Sequence, residues 1–350
     1  MTIKLFDDKE TEFSTNGLGG LSDAIKCTVT EELNGQYELE MVYPVSGLHY
    51  SDIELRNIIL AKPNPYTRPQ PFRIYSISKP INGQVTVNAE HISYDLSGVP
   101  FNPVAPYYVT NAQMAFDHMK NNAVTPCNFT FESTVTTERD MNLPIPRSIR
   151  SVLGADDNSI LSWYGGEYEF DRFRIKHTLK RGADRGVVIR YGKNMTDLKQ
   201  EENCADLYTA IYPYYYKEDD GFQYLAEKIV NVKGNFDYTR ILPVDLTSEF
   251  DEMPTEEVLR KKANEYIIEN SVGVPKVSLT VSFIAIENPE VSSLTDVRLG
   301  DTVTVKFLKL GVDSTATCIS TTFDVLTDRY ESVDLGEKEK TIIDTINKIS

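Results

Sequence analysis

Two stretches far apart in the chain share one pattern. "LRNIILAK" at 55–62 matches "LGDTVTVK" at 299–306, 244 positions later. At the same spacing "FRIYSIS", from residue 72, falls on "ATCISTT" at 316–322, and "LEMVY" (39–43) resembles "LTVSF" (279–283) at a slightly different spacing. The identities are few, so the match is either a coincidence of β-type alternation or the trace of a repeated β unit. A repeat would set two similar sheets at the two ends of the chain, bracketing what lies between.

Strand chemistry dominates the rest, with Tyr 20 and Phe 15 in 350 residues. "QYELEMVY" (36–43) alternates, which predicts Tyr37, Leu39, Met41 and Tyr43 on one face and Glu38, Glu40 and Val42 on the other. "FRIYSISKPINGQVTVNAEH" (72–91) reads as a hairpin turning at Asn82-Gly83. The prolines of "GVPFNPVAPYY" (98–108) mark a linker. A helix is expected at 110–122, capped by Thr110 or Asn111, and a short one over 156–167 stopped by Gly165-Gly166. "TEEVLRKKANEYIIEN" (255–270) is amphipathic, and "EKEKTIIDTINKIS" repeats that pattern at the C-terminus.

The expected fold is therefore mainly β with α+β parts. A first β domain spans 1–98, an α+β middle domain 99–200, a second β domain 201–335 with helix 255–270 inserted, and a C-terminal helix 336–350. No secretory leader is read at "MTIKLFDDKE", and no apolar run is long enough to span a membrane.

The stretch "GGEYEFDRFRIKHTLKRGADRG" (165–186) concentrates acids, bases and aromatics. Tyr168 and Phe170 have the opposite parity to Phe173 and Ile175, so one straight strand cannot bury them all. A turn at Asp171-Arg172 resolves this by setting Phe170 opposite Phe173, with ion pairs Glu169–Arg174 and Glu167–Lys176 on the other face. The carboxylates then zip a hairpin instead of forming an acid/base site. "RGADRG" would turn the chain into "VVIRY" (187–191) to complete a meander.

A net charge of -16 argues against a surface that holds phosphates. Cys27, Cys127, Cys204 and Cys318 are far apart, without a CxxC pair, and read as buried thiols rather than disulfides or a zinc site. His49, His91, His118 and His177 lack ligand spacing, so neither metal nor cofactor is expected. "NGLGGL" (16–21) and "YGKNMT" (191–196) miss the spacing of nucleotide-binding loops. Trp163 beside Gly165-Gly166 could stack a sugar, and "IYPYYYK" (211–217) reads as an interface or strand-edge aromatic patch.

The order of "GGEYEFDRFRIKHTLKRGADRG", "VVIRYGKNM", "YTAIYPY", "LGDTVTV" and "DVLTDRYESVDLG", preceded by "FRIYSISKPINGQVTVNAEHISYDL", resembles the N-terminal module of tail-associated, minor structural proteins of long-tailed bacteriophages and prophages. The resemblance covers nearly the whole chain. It implies a baseplate hub or tail-tip protein of the virion, made in the host bacterial cytoplasm. Such hubs are homotrimers in which two barrel-like domains per subunit form a ring of six around a channel. The ring joins the tail tube and other baseplate proteins, and DNA passes without specific binding. No enzymatic activity is expected of these residues, although many family members continue into a wall-cleaving or host-binding portion. Acidic side chains facing the channel would keep DNA from sticking. Subunit or tube contacts are expected near Leu55, Ile58, Leu60, Leu299, Val303 and Val305. The rival reading is a carbohydrate-binding or cell-wall-degrading tail module built on Trp163 and paired acids.

Overall fold

The computed structural model describes residues 3–78, 83–155, 158–190, 195–203, 207–234, 236–250, 252–270, 272–274, 276–283, 297–307 and 312–336. All of the expected C-terminal helix 336–350 except Gly336, which ends a strand, lies outside them, as do Cys204, Asn82 of the expected turn and most of the 191–196 loop.

The chain opens with strands β1 (Lys4–Phe6), β2 (Gly19–Gly20), β3 (Lys26–Glu32), β4 (Tyr37–Pro44), β5 (Ile58–Ala61), β6 (Gln70–Ile77) and β7 (Gln84–His91). The alternation in β4 is realised: Tyr37, Leu39, Met41 and Tyr43 are buried, and Glu38, Glu40 and Val42 are not. With Cys27, Val29, Phe72, Ile74, Val85 and Val87 they form one apolar core. Each buried aliphatic or aromatic side chain there contributes about 1.5–3 kcal/mol relative to exposure.

Next come β8 (Pro100–Phe101), β9 (Tyr108–Val109), helix α1 (Ala112–Asn121), β10 (Thr130–Ser133), β11 (Met141–Asn142), β12 (Arg147–Ser148), helix α2 (Ile160–Tyr164), and the hairpin β13 (Glu167–Asp171) and β14 (Arg174–Thr178). The Asn111 side chain accepts the Met114 N–H and so caps α1. Gly165, at φ 67°, ends α2 as its sequence demands. Phe101, Phe116, Met119, Ile149, Ile160 and Ile175 build a second core here.

Strands β15 (Asp184–Arg190) and β16 (Met195–Asn203) follow, then β17 (Ala210–Lys217), β18 (Gly221–Tyr224), β19 (Val230–Asn231), β20 (Ile241–Asp245) and helix α3 (Glu256–Glu269). The chain closes with β21 (Lys276–Phe283), β22 (Thr302–Phe307), β23 (Val312–Asp324) and β24 (Arg329–Gly336).

Contacts divide the described residues into two units, one of residues 1–199 with those from 279 onward, and one of residues 200–278. This differs from the expected 201–335 domain. Strand β17 pairs with β18, β19 and β20, and Leu259 and Ala263 of α3 join Ile211, Leu225, Leu242 and Val244 in a core of their own. In sequence, this second unit interrupts the step from β16 to β21.

In the first unit the terminal strands share one 13-stranded sheet, ordered β16-β21-β24-β23-β3-β4-β7-β6-β5-β1-β2, with β22 against β23 and β15 against β22. The sequence echo coincides with equal pairing. Ile58 pairs with Arg73 and Ile59 with Phe72; 244 residues on, Thr302 pairs with Thr317 and Val303 with Ala316. A bulge between Ile74 and Ser76 recurs between Cys318 and Ser320. Leu39–Ala89 and Met41–Val87 correspond to Leu279–Leu335 and Val281–Val333. The sets differ where β1 runs antiparallel to β5 but β15 runs parallel to β22. That parallel pairing replaces the expected meander from β14 into residues 187–191. The two sets join edge to edge, Ser320–Asp324 of β23 pairing with Thr28–Glu32 of β3.

Candidate functional site

The join between the two strand sets creates a continuous surface on the side away from the core. Across β7, β4 and β3, Glu38 lies opposite both Glu90 and Thr30, and Glu40 lies opposite both Asn88 and Thr28. The row continues from Thr28 to Asp324, from Thr30 to Thr322, and from Ser320 to Asp334. Cations meet this surface at Lys26, whose Nζ is 2.8 Å from Glu40, at Arg329, opposite Asp324, and at Arg73 of β6, opposite Glu90 and paired with Asp95.

Like charges directly opposite across strands weaken a sheet. Burial, together with Asp95 and Glu38, pushes the Glu90 carboxyl above its ordinary value. The surface is thus a carboxylate and hydroxyl strip, held at some cost to stability. Its alternation within β4 was readable in the sequence. Its continuation onto Asp324 and Asp334 was not, because that depends on a pairing between residues almost 300 positions apart.

The 167–178 hairpin exists, but its register is not the expected one. Phe170 pairs with Ile175, Asp171 with Arg174, Glu169 with Lys176 and Glu167 with Thr178. The turn is Arg172-Phe173, with Arg172 at φ 54°. The expected Glu169–Arg174 and Glu167–Lys176 pairs are therefore absent. Tertiary partners decide the register instead. Arg68 clamps Asp171 through two bonds of 2.6 and 2.8 Å, Glu167 accepts the Arg181 N–H, and Arg174 reaches Glu132 of β10. Burial acts to raise the Asp171 pKa, but its bonds from Arg68 and Gln70 outweigh this and hold the carboxyl below its usual range. The Arg174 guanidinium likewise holds the Glu132 carboxyl below its usual range, the opposite of the shift a general acid needs.

The expected contact residues also need correction. Ile58, Leu60, Leu299, Val303 and Val305 are buried within the chain's own cores, and Leu55 alone is exposed. These strands spend their apolar side chains on folding, so neighbours can meet them only through other atoms.

Buried His91 and His177 are hydrogen-bonded core residues, the latter between Ser133 Oγ and the Gly165 carbonyl. Trp163 packs half-buried against the middle core rather than standing free as a sugar platform. Burial pushes the Cys27 and Cys318 thiols far above their ordinary value. In the second unit β17 is central, and the face away from α3 carries Tyr212, Tyr214 and Tyr216 beside Phe222 of β18. No His, Cys, Asp and Glu group able to hold a metal is found among the described residues, and no helix there is long and apolar enough to cross a membrane.

The overall fold is similar to that of solved tail proteins. Solved prophage tail proteins match over nearly their whole length: gp18 of Listeria monocytogenes, at TM-score 0.63 and 14% identity, covering 99% of this chain and 98% of that one; the 43 kDa tail protein of prophage MuSo2 from Shewanella oneidensis, at TM-score 0.63 and 14% identity, covering 97% and 98%; and a tail protein of Neisseria meningitidis, at TM-score 0.60 and 10% identity, covering 98% of each. Residues 183–346 match the model of the prophage endopeptidase tail family. The resemblance to phage tail-associated proteins is thereby borne out. No curated protein matches the chain.

Proposed function

We propose that the protein is a non-enzymatic structural subunit of a phage tail, a hub or tail-tip protein that assembles as a trimer on the tail tube and encloses a channel for DNA. One observation carries this reading: the equal register and equally placed bulge of β4-β7-β6-β5 and β21-β24-β23-β22. A protomer with one β unit twice offers two near-equivalent surfaces, so three protomers can meet a sixfold tube.

The join inside the chain supplies a template for the join between chains. Strand β3 lies against the second half of β23. In the second set β16 neighbours β21 as β3 neighbours β4, and β16 ends the sheet. The first-set counterpart of β23 is β6, whose pairing with β5 covers only Gln70–Arg73. Repeating the internal join sets β16 of one protomer along Tyr75–Ser78 of the next, with backbone hydrogen bonds replacing the expected apolar contacts. The carboxylate strip would then face the channel, where it repels phosphates instead of holding them.

The mass of the complex formed on purified tail tubes tests this. Three chains per tube end are expected. One chain or six would overturn the reading.

A further inference from the structure

Among the guanidinium groups of the first unit, Arg150 is the one set against aromatic rings at the mouth of a cavity. Arg73 is held by Asp95 at 2.7 Å and Arg181 by Glu31 at 2.7 Å, so each charge has a carboxylate. Arg150 is half-buried in the middle region and makes no ion pair among the described residues, Glu90 acting on it only at longer range. Its guanidinium carbon lies 3.9 Å from the centre of the Tyr94 ring and 5.8 Å from that of Phe170, and its Nη1 donates to Ser93 Oγ at 3.1 Å. Tyr94 takes part in a further hydrogen bond. A guanidinium has five N–H donors, so several remain unspent.

These donors border a cavity of about 270 Å³ walled by Tyr94, Leu153, Leu161, Tyr168 and Phe170. The other polar groups around it are engaged with the protein. Asn34 donates to the Gly166 carbonyl and accepts the Tyr168 N–H, the Tyr168 hydroxyl donates to the Leu153 carbonyl, and the Tyr94 hydroxyl accepts the Tyr37 N–H. Gly35 and Gly154 on the rim present backbone without side chains.

The geometry points to a binding site for one carboxylate carried on a short apolar stem. The planar fork of Arg150 matches a carboxylate through two parallel bonds. The aromatic and aliphatic walls suit the stem, and they disfavour a multiply charged phosphate, which would lose its hydration without enough donors to replace it. The volume falls below that of most drug-sized pockets and limits the stem to a few carbons. Two sources carry such a group: a small free acid, and the C-terminal residue of a polypeptide.

Calorimetric titration of the full chain with hexanoate and with hexanamide tests the site. Hexanoate is expected to bind saturably and hexanamide at least tenfold more weakly. Arg150→Met should remove hexanoate binding, and Arg150→Lys should keep part of it. Equal affinity for acid and amide, no saturable binding of either probe, or full binding by Arg150→Met would overturn the proposal. If Arg150→Met fails to fold, the acid and amide contrast on the wild-type chain decides alone. A peptide ending in leucine, with free or amidated C-terminus, distinguishes the sources. Binding of the free form more tightly than hexanoate assigns the site to a polypeptide end, and the reverse assigns it to a small acid.

Discussion

His91 ends β7 with no exposed surface and titrates far from its ordinary range. Its ring stacks on Tyr37 with centroids 4.5 Å apart and meets Phe72 edge-on. Nδ1 accepts the Ser93 N–H at 3.2 Å, and Nε2 lies 3.4 Å from Gln70 Oε1, which fits the neutral tautomer protonated on Nε2. Burial first, and the positive Arg150 second, lower its pKa from 6.5 to about 3. Between those values the unfolded chain binds a proton that the folded chain refuses, so stability falls as pH falls through this window. The slope approaches about 1.4 kcal/mol per pH unit, a loss of about 2 kcal/mol between pH 6.5 and 5 from this one group. Urea unfolding at a series of pH values measures it. His91→Gln, which cannot titrate, should give a curve flatter by that amount, though lower at neutral pH because the stack is lost. In the folded wild type the His91 ring resonances should stay unmoved down to pH 4. A resonance titrating near pH 6.5, or equal slopes for the two proteins, would refute the reasoning.

Gly182→Ala should destabilise by about 3 kcal/mol or more in thermal or urea unfolding, because its Cβ would overlap the Gly300 and Asp301 backbone, which has nowhere to move. Asp95→Ala removes the carboxylate that clamps buried Arg73, leaving it the Asp8 and Arg56 carbonyls and cross-strand Glu90; a loss of about 3 kcal/mol is expected, and the double variant with Arg73→Met should recover part of it. Ile77→Pro removes a backbone donor from the edge of β6 that no strand pairs among the described residues, since Ser78 N–H already points to Thr86 of β7. It should abolish assembly on tail tubes, measured by sedimentation, while lowering monomer stability by much less than Gly182→Ala.

Local chemistry made much of this fold legible. The alternation at Tyr37–Tyr43, the Asn111 cap and the Gly165 stop each report on residues within one turn or one pleat, and each is realised. The echo at a spacing of 244 was legible because pairing register leaves its mark on the apolar pattern even where identities are few. What stayed hidden depends on distant partners. The hairpin register is fixed by Arg68 and Glu132, the parallel pairing of β15 by Thr302–Lys306, and the independence of residues 200–278 by a core that only folding assembles. Burial of Ile58, Leu60, Val303 and Val305 illustrates the same limit: an apolar strand reads alike whether it faces its own core or a neighbour. Arg150 gave no sequence signal, because nothing local says that a guanidinium lacks a carboxylate.

Cryo-EM of the protein bound to the end of a tail tube examines the central claim most directly. Three chains should surround the axis, the β4-β7-β6-β5 and β21-β24-β23-β22 sets alternating at six like positions, with Glu38, Glu40 and Asp324 turned to the channel. A map with the two sets in unrelated environments, or with that face turned outward, would contradict the account.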